Sequence, residues 1–318
     1  MLSNDKINLI LAFVISFILS PIIVTRLKKL NIGQSIREEG PESHLVKSGT
    51  PTMGGIIFMI STVLTLLIMR NHDSFTIICT MSMILFGVLG YADDYIKIVM
   101  DRNLGLRAYQ KLIGQILLAI ILVFVYIKNG GDTYLYIPFT SMKLVNFGIL
   151  YYPLIIFVIV GTVNSVNLTD GLDGLATGVS AIVLIAFSAI LYGMGNVNNS
   201  VFGATLTGAL LGFLRVNRYP AKVFMGDTGS LALGGAVAAI AIMSKLSLFL
   251  PILGGVYFAE TLSVIIQVSS FKLTGKRVFK MAPLHHHFEA KGLSEPKVIT
   301  RFYIASVILA IIAILGII

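Results

Sequence analysis

The chain reads as an all-α integral membrane protein of about ten transmembrane helices, and three observations carry that reading. Hydrophobic residues make up 56% of its 318 residues and charged residues only 12%. Its mean hydropathy is +0.90, so there is too little polar material to cover a soluble surface. Apolar stretches close to the ~20 residues that cross a roughly 30 Å hydrocarbon core recur along its whole length. Lysine and arginine, finally, concentrate in alternate connections between those stretches.

The candidate spans are residues 7–25, 54–70, 75–92, 110–128, 145–163, 175–194, 200–216, 229–244, 248–270 and 299–318. The apolar run of the first is too long for a signal peptide and no small-residue cleavage site follows, which makes it a membrane anchor. Pro153 and Pro251 kink or start the fifth and ninth segments, which neighbouring helices accommodate. Tyr134-Leu-Tyr-Ile-Pro138, in the connection at 129–144, suits a small hairpin beside the membrane. Cys79, the single cysteine, lies within a helix and fits a buried small hydrophobe. No long hydrophilic domain, low-complexity run or internal repeat interrupts the pattern, so residues 1–318 form one polytopic domain.

Orientation follows from the basic residues. One set of connections holds Arg26, Lys28, Lys29, Arg37, Lys47, Lys97, Arg102, Arg107, Lys111, Arg215, Arg218, Lys222, Lys272, Lys276, Arg277, Lys280, Lys291, Lys297 and Arg301. The other holds only Lys6, Arg70, Lys128, Lys143 and Lys245, which completes the 24 basic residues. The positive-inside rule places the first set in the cytoplasm and both termini outside. It also accounts for the net charge of +9 without a nucleic-acid partner.

Five aspartates, Asp93, Asp94, Asp170, Asp173 and Asp227, then lie at the cytoplasmic mouths of their helices. An aspartate near the middle of a membrane helix costs about 2.5–3.5 kcal/mol, so acids kept beside hydrocarbon usually bind metal, relay protons or contact substrate. Asp93 and Asp94 repel one another unless a cation or proton intervenes, and Lys97 stands within one helical turn of both. Asp170 and Asp173 share a stretch with Asn164, Asn167 and Thr169, all hard oxygen donors, while Gly171 and Gly174 let backbone approach a ligand. Such a set, without cysteine, favours magnesium or manganese over zinc. Asp227, in Gly226-Asp-Thr-Gly-Ser230, also suits a plain helix cap. His285-His-His287 forms the one histidine cluster; adjacent side chains diverge, so contact with phosphate fits better than zinc ligation. His44, Lys47 and Thr52 occupy a glycine-rich loop able to cradle an anion, though without Walker spacing. Glu260, inside the ninth segment, receives no role from the sequence. Together these features describe a cytoplasm-facing, metal-dependent membrane enzyme that acts on a phosphorylated compound.

The motifs Lys47-Ser-Gly-Thr-Pro-Thr-Met-Gly-Gly55, Asp93-Asp-Tyr-Ile-Lys97, Asn164 to Gly174, Phe224-Met-Gly-Asp-Thr-Gly-Ser230 and Pro283-Leu-His-His-His-Phe-Glu289 carry a resemblance. The chain resembles the polyprenyl-phosphate N-acetylhexosamine-1-phosphate transferases of glycosyltransferase family 4, above all their muramoyl-pentapeptide branch. The resemblance covers residue 20 or so to the C-terminus. It implies ten helices, outside termini, a bacterial plasma-membrane location, a homodimer and Mg2+. The implied reaction moves phospho-N-acetylmuramoyl-pentapeptide from UDP-N-acetylmuramoyl-pentapeptide to undecaprenyl phosphate, giving lipid I and UMP in peptidoglycan biosynthesis. By motif, Asp227 is the metal ligand, Asp93 the base on the lipid phosphate, and Asp94 a support for metal or phosphate. Asp170, Gly171, Leu172, Asp173, Asn217 and Phe224 form a uridine-side pocket. Lys47, Thr52, Lys97, His285, His286 and His287 hold phosphates or the sugar side, with Asn164 and Asn167 in support. Direct attack by the lipid phosphate and a two-step route through an aspartyl intermediate both satisfy these assignments. Transfer of N-acetylglucosamine-1-phosphate is the neighbouring alternative within the family. A secondary transporter, the alternative from another class, would show inverted repeats and midplane charges.

Overall fold

A computed structural model of the chain describes residues 4–30, 49–100, 105–141 and 143–317; Lys47 and His44 lie outside these described residues. The long elements are α1 (Asn4–Lys29), α2 (Ile56–Ile68), α3 (Ser74–Val99) and α4 (Ala108–Lys128), then a hairpin of β1 (Tyr134–Tyr136) and β2 (Leu144–Asn146). There follow α5 (Tyr151–Thr169), α6 (Leu175–Gly193), α7 (Val197–Asn217) and α8 (Gly226–Met243). The short α9 (Leu250–Leu253), the long α10 (Gly255–Thr274), the short α11 (Leu284–Glu289) and α12 (Glu295–Leu315) complete the chain. The expected hairpin is present and antiparallel, with Leu135 opposite Val145. Pro153 and Pro251 both sit in the first turns of their helices, where the missing N–H costs nothing.

Among the described residues, eight helices are long and apolar enough to cross a membrane: α1, α3 to α8 and α12. Two of the ten expected spans take a different form. The stretch 54–70 yields a helix of 13 residues, roughly 20 Å long at 1.5 Å per residue, because Gly54 and Gly55 are drawn into a loop. The stretch 248–270 breaks at Gly254 into a pair bent by 80°, so it counts as a ninth span only if that pair is one.

The centre of the bundle is α8, whose sequence Gly226-Asp-Thr-Gly-Ser-Leu-Ala-Leu-Gly-Gly-Ala-Val-Ala-Ala-Ile is mostly small and almost wholly buried. Small residues let neighbouring backbones close in where lipid offers no hydrophobic drive. Accordingly α3 and α5 pack along α8, α1 lies along α7, and α6 joins α7 to α12. One very close approach lies beside the acids: a Cβ at Gly90 of α3 would run into the backbone of Asp227 and Thr228. Replacing Gly90 by alanine forces α3 and α8 apart, at about 1–3 kcal/mol for such overpacking. Thermal unfolding of the detergent-purified protein should therefore drop for Gly90→Ala. It should hold for Gly161→Ala, whose Cβ would meet nothing within 4 Å.

Candidate active site

At one end of the bundle, α3, α4, α5 and α8 bring their polar ends together. Asp93, Asp94 and Lys97 share the last turns of α3, where i,i+3 and i,i+4 spacing puts them on one face. Lys97 Nζ stands 2.6 Å from Asp93 Oδ2, 3.7 Å from Asp94 Oδ1 and 2.8 Å from Asp227 Oδ2. Lys111, in the first turn of α4, reaches the same Asp227 oxygen at 2.9 Å and Asn167 Oδ1 at 3.2 Å. Asn167 in turn donates from Nδ2 to Asp227 Oδ1 and to Ser230 Oγ, each at 2.8 Å. Both oxygens of Asp227 are thus engaged by groups from three other helices.

The two neighbouring acids of α3 divide their work. Asp94, fully buried, turns to the start of α8: Oδ2 accepts from Thr228 N at 2.8 Å and Thr228 Oγ1 at 2.7 Å, and Oδ1 accepts from Asp227 N at 3.2 Å. Free N–H groups and the positive end of the helix dipole favour a carboxylate there. Asp94 is therefore the cap of α8, contributed from a neighbouring helix, and the expected alternative of Asp227 as its own helix cap is set aside. Asp93 faces the other way, accepting from Leu106 N at 2.9 Å, and Gly105 leaves room for its carboxylate. Ligand oxygens of Asp93, Asp94 and Asp227 lie within 4.8 Å of one another. Three carboxylates against two lysines leave the cluster one negative charge in excess. All its acidic donors are hard oxygens, so these residues fit a hard divalent ion.

Sequence reasoning overlooked Lys111 and Gln115. A lysine in the first turn of a helix opposes the dipole, and a glutamine one turn later in an apolar span is costly; both anomalies are visible in the sequence. Gln115, fully buried, exchanges side-chain hydrogen bonds with Asn164, accepting at 2.6 Å and donating at 3.3 Å. Asn164 therefore braces α4 against α5, one turn behind the Lys111–Asn167 contact.

The remaining expected residues fall into two groups. Thr52 and Phe224 lie in loops that are joined by backbone hydrogen bonds: Phe224 N to Pro51 O at 2.8 Å, Gly54 N to Phe224 O at 2.8 Å, Gly55 N to Met225 O at 3.0 Å. Thr52 Oγ1 is buried without a partner among the described residues and lies beside Gly226 and Asp94. Asp170 is half-buried at the end of α5. Desolvation first, and the charges of Asp227, Asp94 and Asp173 second, push its carboxyl above the usual carboxylate range. Gly171 lies against the ring of His285.

Other residues are turned into the scaffold. Asp173 accepts from Ala221 N at 2.8 Å while its own N–H donates to Glu295 Oε1 at 2.8 Å. Asn217 accepts from Thr177 Oγ1 and donates to Val223 O at 3.1 Å, shaping the turn before Phe224. Leu172 is buried. The three histidines diverge as adjacency requires: His285 inward to Glu260, His286 to Glu289 Oε2 at 2.8 Å, and His287 accepting Lys280 N–H at 3.1 Å. Partial burial, then the charges of Lys291 and Lys280, hold His287 below the ordinary histidine range.

Comparison with known proteins identifies relatives over nearly the whole chain. The profile of glycosyl transferase family 4 matches residues 74–245, from the start of α3 to the end of α8. A pattern described as phospho-N-acetylmuramoyl-pentapeptide-transferase signature 1 matches residues 47–59, which include Pro51 and Gly54, the backbone partners of Phe224. A protein named phospho-N-acetylmuramoyl-pentapeptide-transferase from Caldanaerobacter subterraneus subsp. tengcongensis is 52% identical over 94% of each chain. One of that name from Clostridium botulinum strain Alaska E43 is 54% identical, covering 96% of this chain and 94% of its own. Another from Oceanobacillus iheyensis is 51% identical over 98% of each. With its acid cluster, its stitched loops and near-complete relatives, the chain belongs to glycosyl transferase family 4, in the branch of the phospho-N-acetylmuramoyl-pentapeptide-transferases.

Proposed function

We propose that this protein transfers phospho-N-acetylmuramoyl-pentapeptide from UDP-N-acetylmuramoyl-pentapeptide to undecaprenyl phosphate, forming lipid I and releasing UMP. The observation that carries the reading is the cluster of Asp93, Asp94 and Asp227 threaded by Lys97 and Lys111 at the end of a membrane bundle. An oxygen of the lipid phosphate attacks the sugar-bearing phosphorus of the donor. The bond from that phosphorus to the bridging oxygen breaks, and UMP leaves with its electron pair. Asp93 takes the proton of a monoanionic lipid phosphate, while Lys97 and Lys111 offset charge that develops on the phosphates. Asp227 would hold Mg2+; bound there, the ion would supply Lewis-acid neutralisation of the diphosphate. The loops of Asp170 and Phe224 form the uridine side, with Phe224 offered for stacking. Incubating purified protein with both substrates should release UMP only when magnesium is present. Equal or better turnover of UDP-N-acetylglucosamine would assign the protein to the neighbouring branch.

Replacing the two acids separates their roles. Asp227→Asn keeps size and removes charge, so turnover should fall at least about a hundredfold, or about 2.7 kcal/mol. Asp93→Asn should slow the chemical step and leave donor binding intact. A phosphate monoester has its second pKa near 6, so more of the lipid is already dianionic as pH rises and the Asp93→Asn deficit should narrow. Rates from about pH 6 to about pH 9, at two magnesium concentrations, check both. A deficit at Asp93 that is constant with pH and relieved by magnesium moves that residue to the metal.

The same reading puts the acid cluster on the cytoplasmic side of a bacterial plasma membrane, as the basic connections indicate. Single cysteines at Arg107 and Lys280, in a Cys79→Ala background, should react with an impermeant thiol reagent only from the cytoplasmic side. Cysteines at Lys128 and Lys143 should react only from outside; labelling of position 107 or 280 from outside removes the one-sided site.

A further inference from the structure

The strongest uncommitted feature of the molecule is Glu260. It lies in α10 with its side chain fully shielded from solvent, in a helix nearly half of which is Val, Ile, Phe or Leu. A carboxylate in such a place is costly unless a partner holds it. Its partner is His285: Oε1 stands 3.2 Å from the ring Nδ1 and Oε2 stands 3.4 Å from the backbone nitrogen. The second contact engages an N–H in the first turn of α11, one of the donors that a helix start leaves free. The first brings the carboxylate against the Nδ1 edge of the ring without hydrogen-bond geometry, since neither atom has a hydrogen-bond partner among the described residues. One carboxylate therefore anchors the start of α11 through its backbone and backs one edge of the imidazole.

The other edge of that ring points at the donor-side loop. Nε2 of His285 occupies the space that a Cβ would take at Gly171. The ring is buried, and neither of its nitrogens has a hydrogen-bond partner among the described residues. Gly171 follows Asp170 directly, and the turn continues through Leu172 to Asp173, whose backbone N–H is held by Glu295. The turn is thus gripped at Asp173 by a carboxylate and rests at Gly171 on an imidazole. A residue of any other kind at 171 would be expelled by that ring, and a ring turned otherwise would leave the turn unsupported.

We propose that Glu260 is a positioning residue for donor binding: through His285 it sets the Asp170–Gly171 turn, and with it the uridine-side pocket. The proposal rests on the donor reading of that pocket. Glu260 itself touches no reacting atom. Its effect falls on the nucleotide substrate and not on the lipid, because the lysines and acids that would meet the lipid phosphate are held by α3, α4, α5 and α8 and make no contact with His285 or Glu260 among the described residues.

The test uses purified full-length protein, with UMP release measured for the wild type first. Glu260→Leu should raise KM for the UDP-linked donor about tenfold, leave KM for the polyprenyl phosphate within about twofold, and change kcat little. UMP affinity by calorimetry should weaken in parallel. Glu260→Gln, which keeps an acceptor for the His285 backbone N–H, should restore most of the donor affinity. His285→Ala should match Glu260→Leu, and the double variant should be no worse than either, as for two residues acting through one element. Gly171→Ala approaches from the loop side and should reproduce the donor defect if Glu260→Leu fails to fold. Unchanged donor KM and UMP affinity in folded Glu260→Leu or in Gly171→Ala overturns the proposal. So does a double variant whose defect is the product of the single ones, or a rise in lipid KM equal to that for the donor. Absence of UMP release by the wild type overturns the functional reading itself, and the proposal with it.

Discussion

Charge balance around Asp227 is the interaction on which the rest of the structure depends. Asp227 begins the central helix α8, and its two oxygens receive Lys97 from α3, Lys111 from α4 and Asn167 from α5. None of these groups tolerates hydrocarbon alone, and each loses most by leaving the others. Four helices are therefore registered against one another by a handful of hydrogen bonds, in an environment where apolar surface gives helix pairs little specificity. The consequence for function is direct. The cations that stabilise the acids are the cations available to phosphate, and the acids that hold those cations are the donors available to metal. A site built this way is preorganised because the bundle requires it, not because substrate has arrived.

Close packing is the second half of the same constraint. Asp94 can cap α8 only because Gly90, one turn earlier on α3, lets the two backbones meet. Glycine and alanine along α8 serve the same end over the length of the contact. The sequence Gly90-Tyr-Ala-Asp-Asp94 thus couples a packing residue to two ionisable ones on a single helix. The spacing of one helical turn makes contact and chemistry parts of one element.

Much of this was legible in the chain. Hydropathy located nearly every long helix, and acids in apolar company marked Asp93, Asp94 and Asp227 without any fold. The hairpin at Tyr134 to Asn146 followed from its aromatic residues and proline. Hydropathy failed where an apolar segment is not a straight helix. Met53 to Gly55 and Gly254 are as apolar as their neighbours, and only the flanking Gly-Gly and Pro signals distinguish a loop or a bend. Spacing failed in another way, since nearness along the chain says nothing of direction. Asp170 and Asp173 are three residues apart, yet the first is half-buried within reach of the charges of the acid cluster and the second binds the 221 turn. Lys111 escaped because it was counted as a topological charge, although its place at a helix start already demanded an acid from elsewhere.

The donor side follows a different logic from the acid cluster, and the difference is informative. Residues 51–55 and 223–225 run together through backbone hydrogen bonds, so Phe224 is fixed on both its N–H and its carbonyl. Asn217 shapes the turn that leads into it, from inside. The Asp170–Gly171 turn is held through side chains instead, by Glu295 at one end and by His285 at the other. Backbone pairing leaves the first wall indifferent to most side-chain changes, whereas the second wall depends on two buried carboxylates and one imidazole. Variation in donor affinity therefore has its natural origin at the second wall. On the proposed reading the acid cluster, locked by helix packing, sets whether transfer occurs, and the Glu260–His285–Gly171 contact sets how firmly the nucleotide is held while it does.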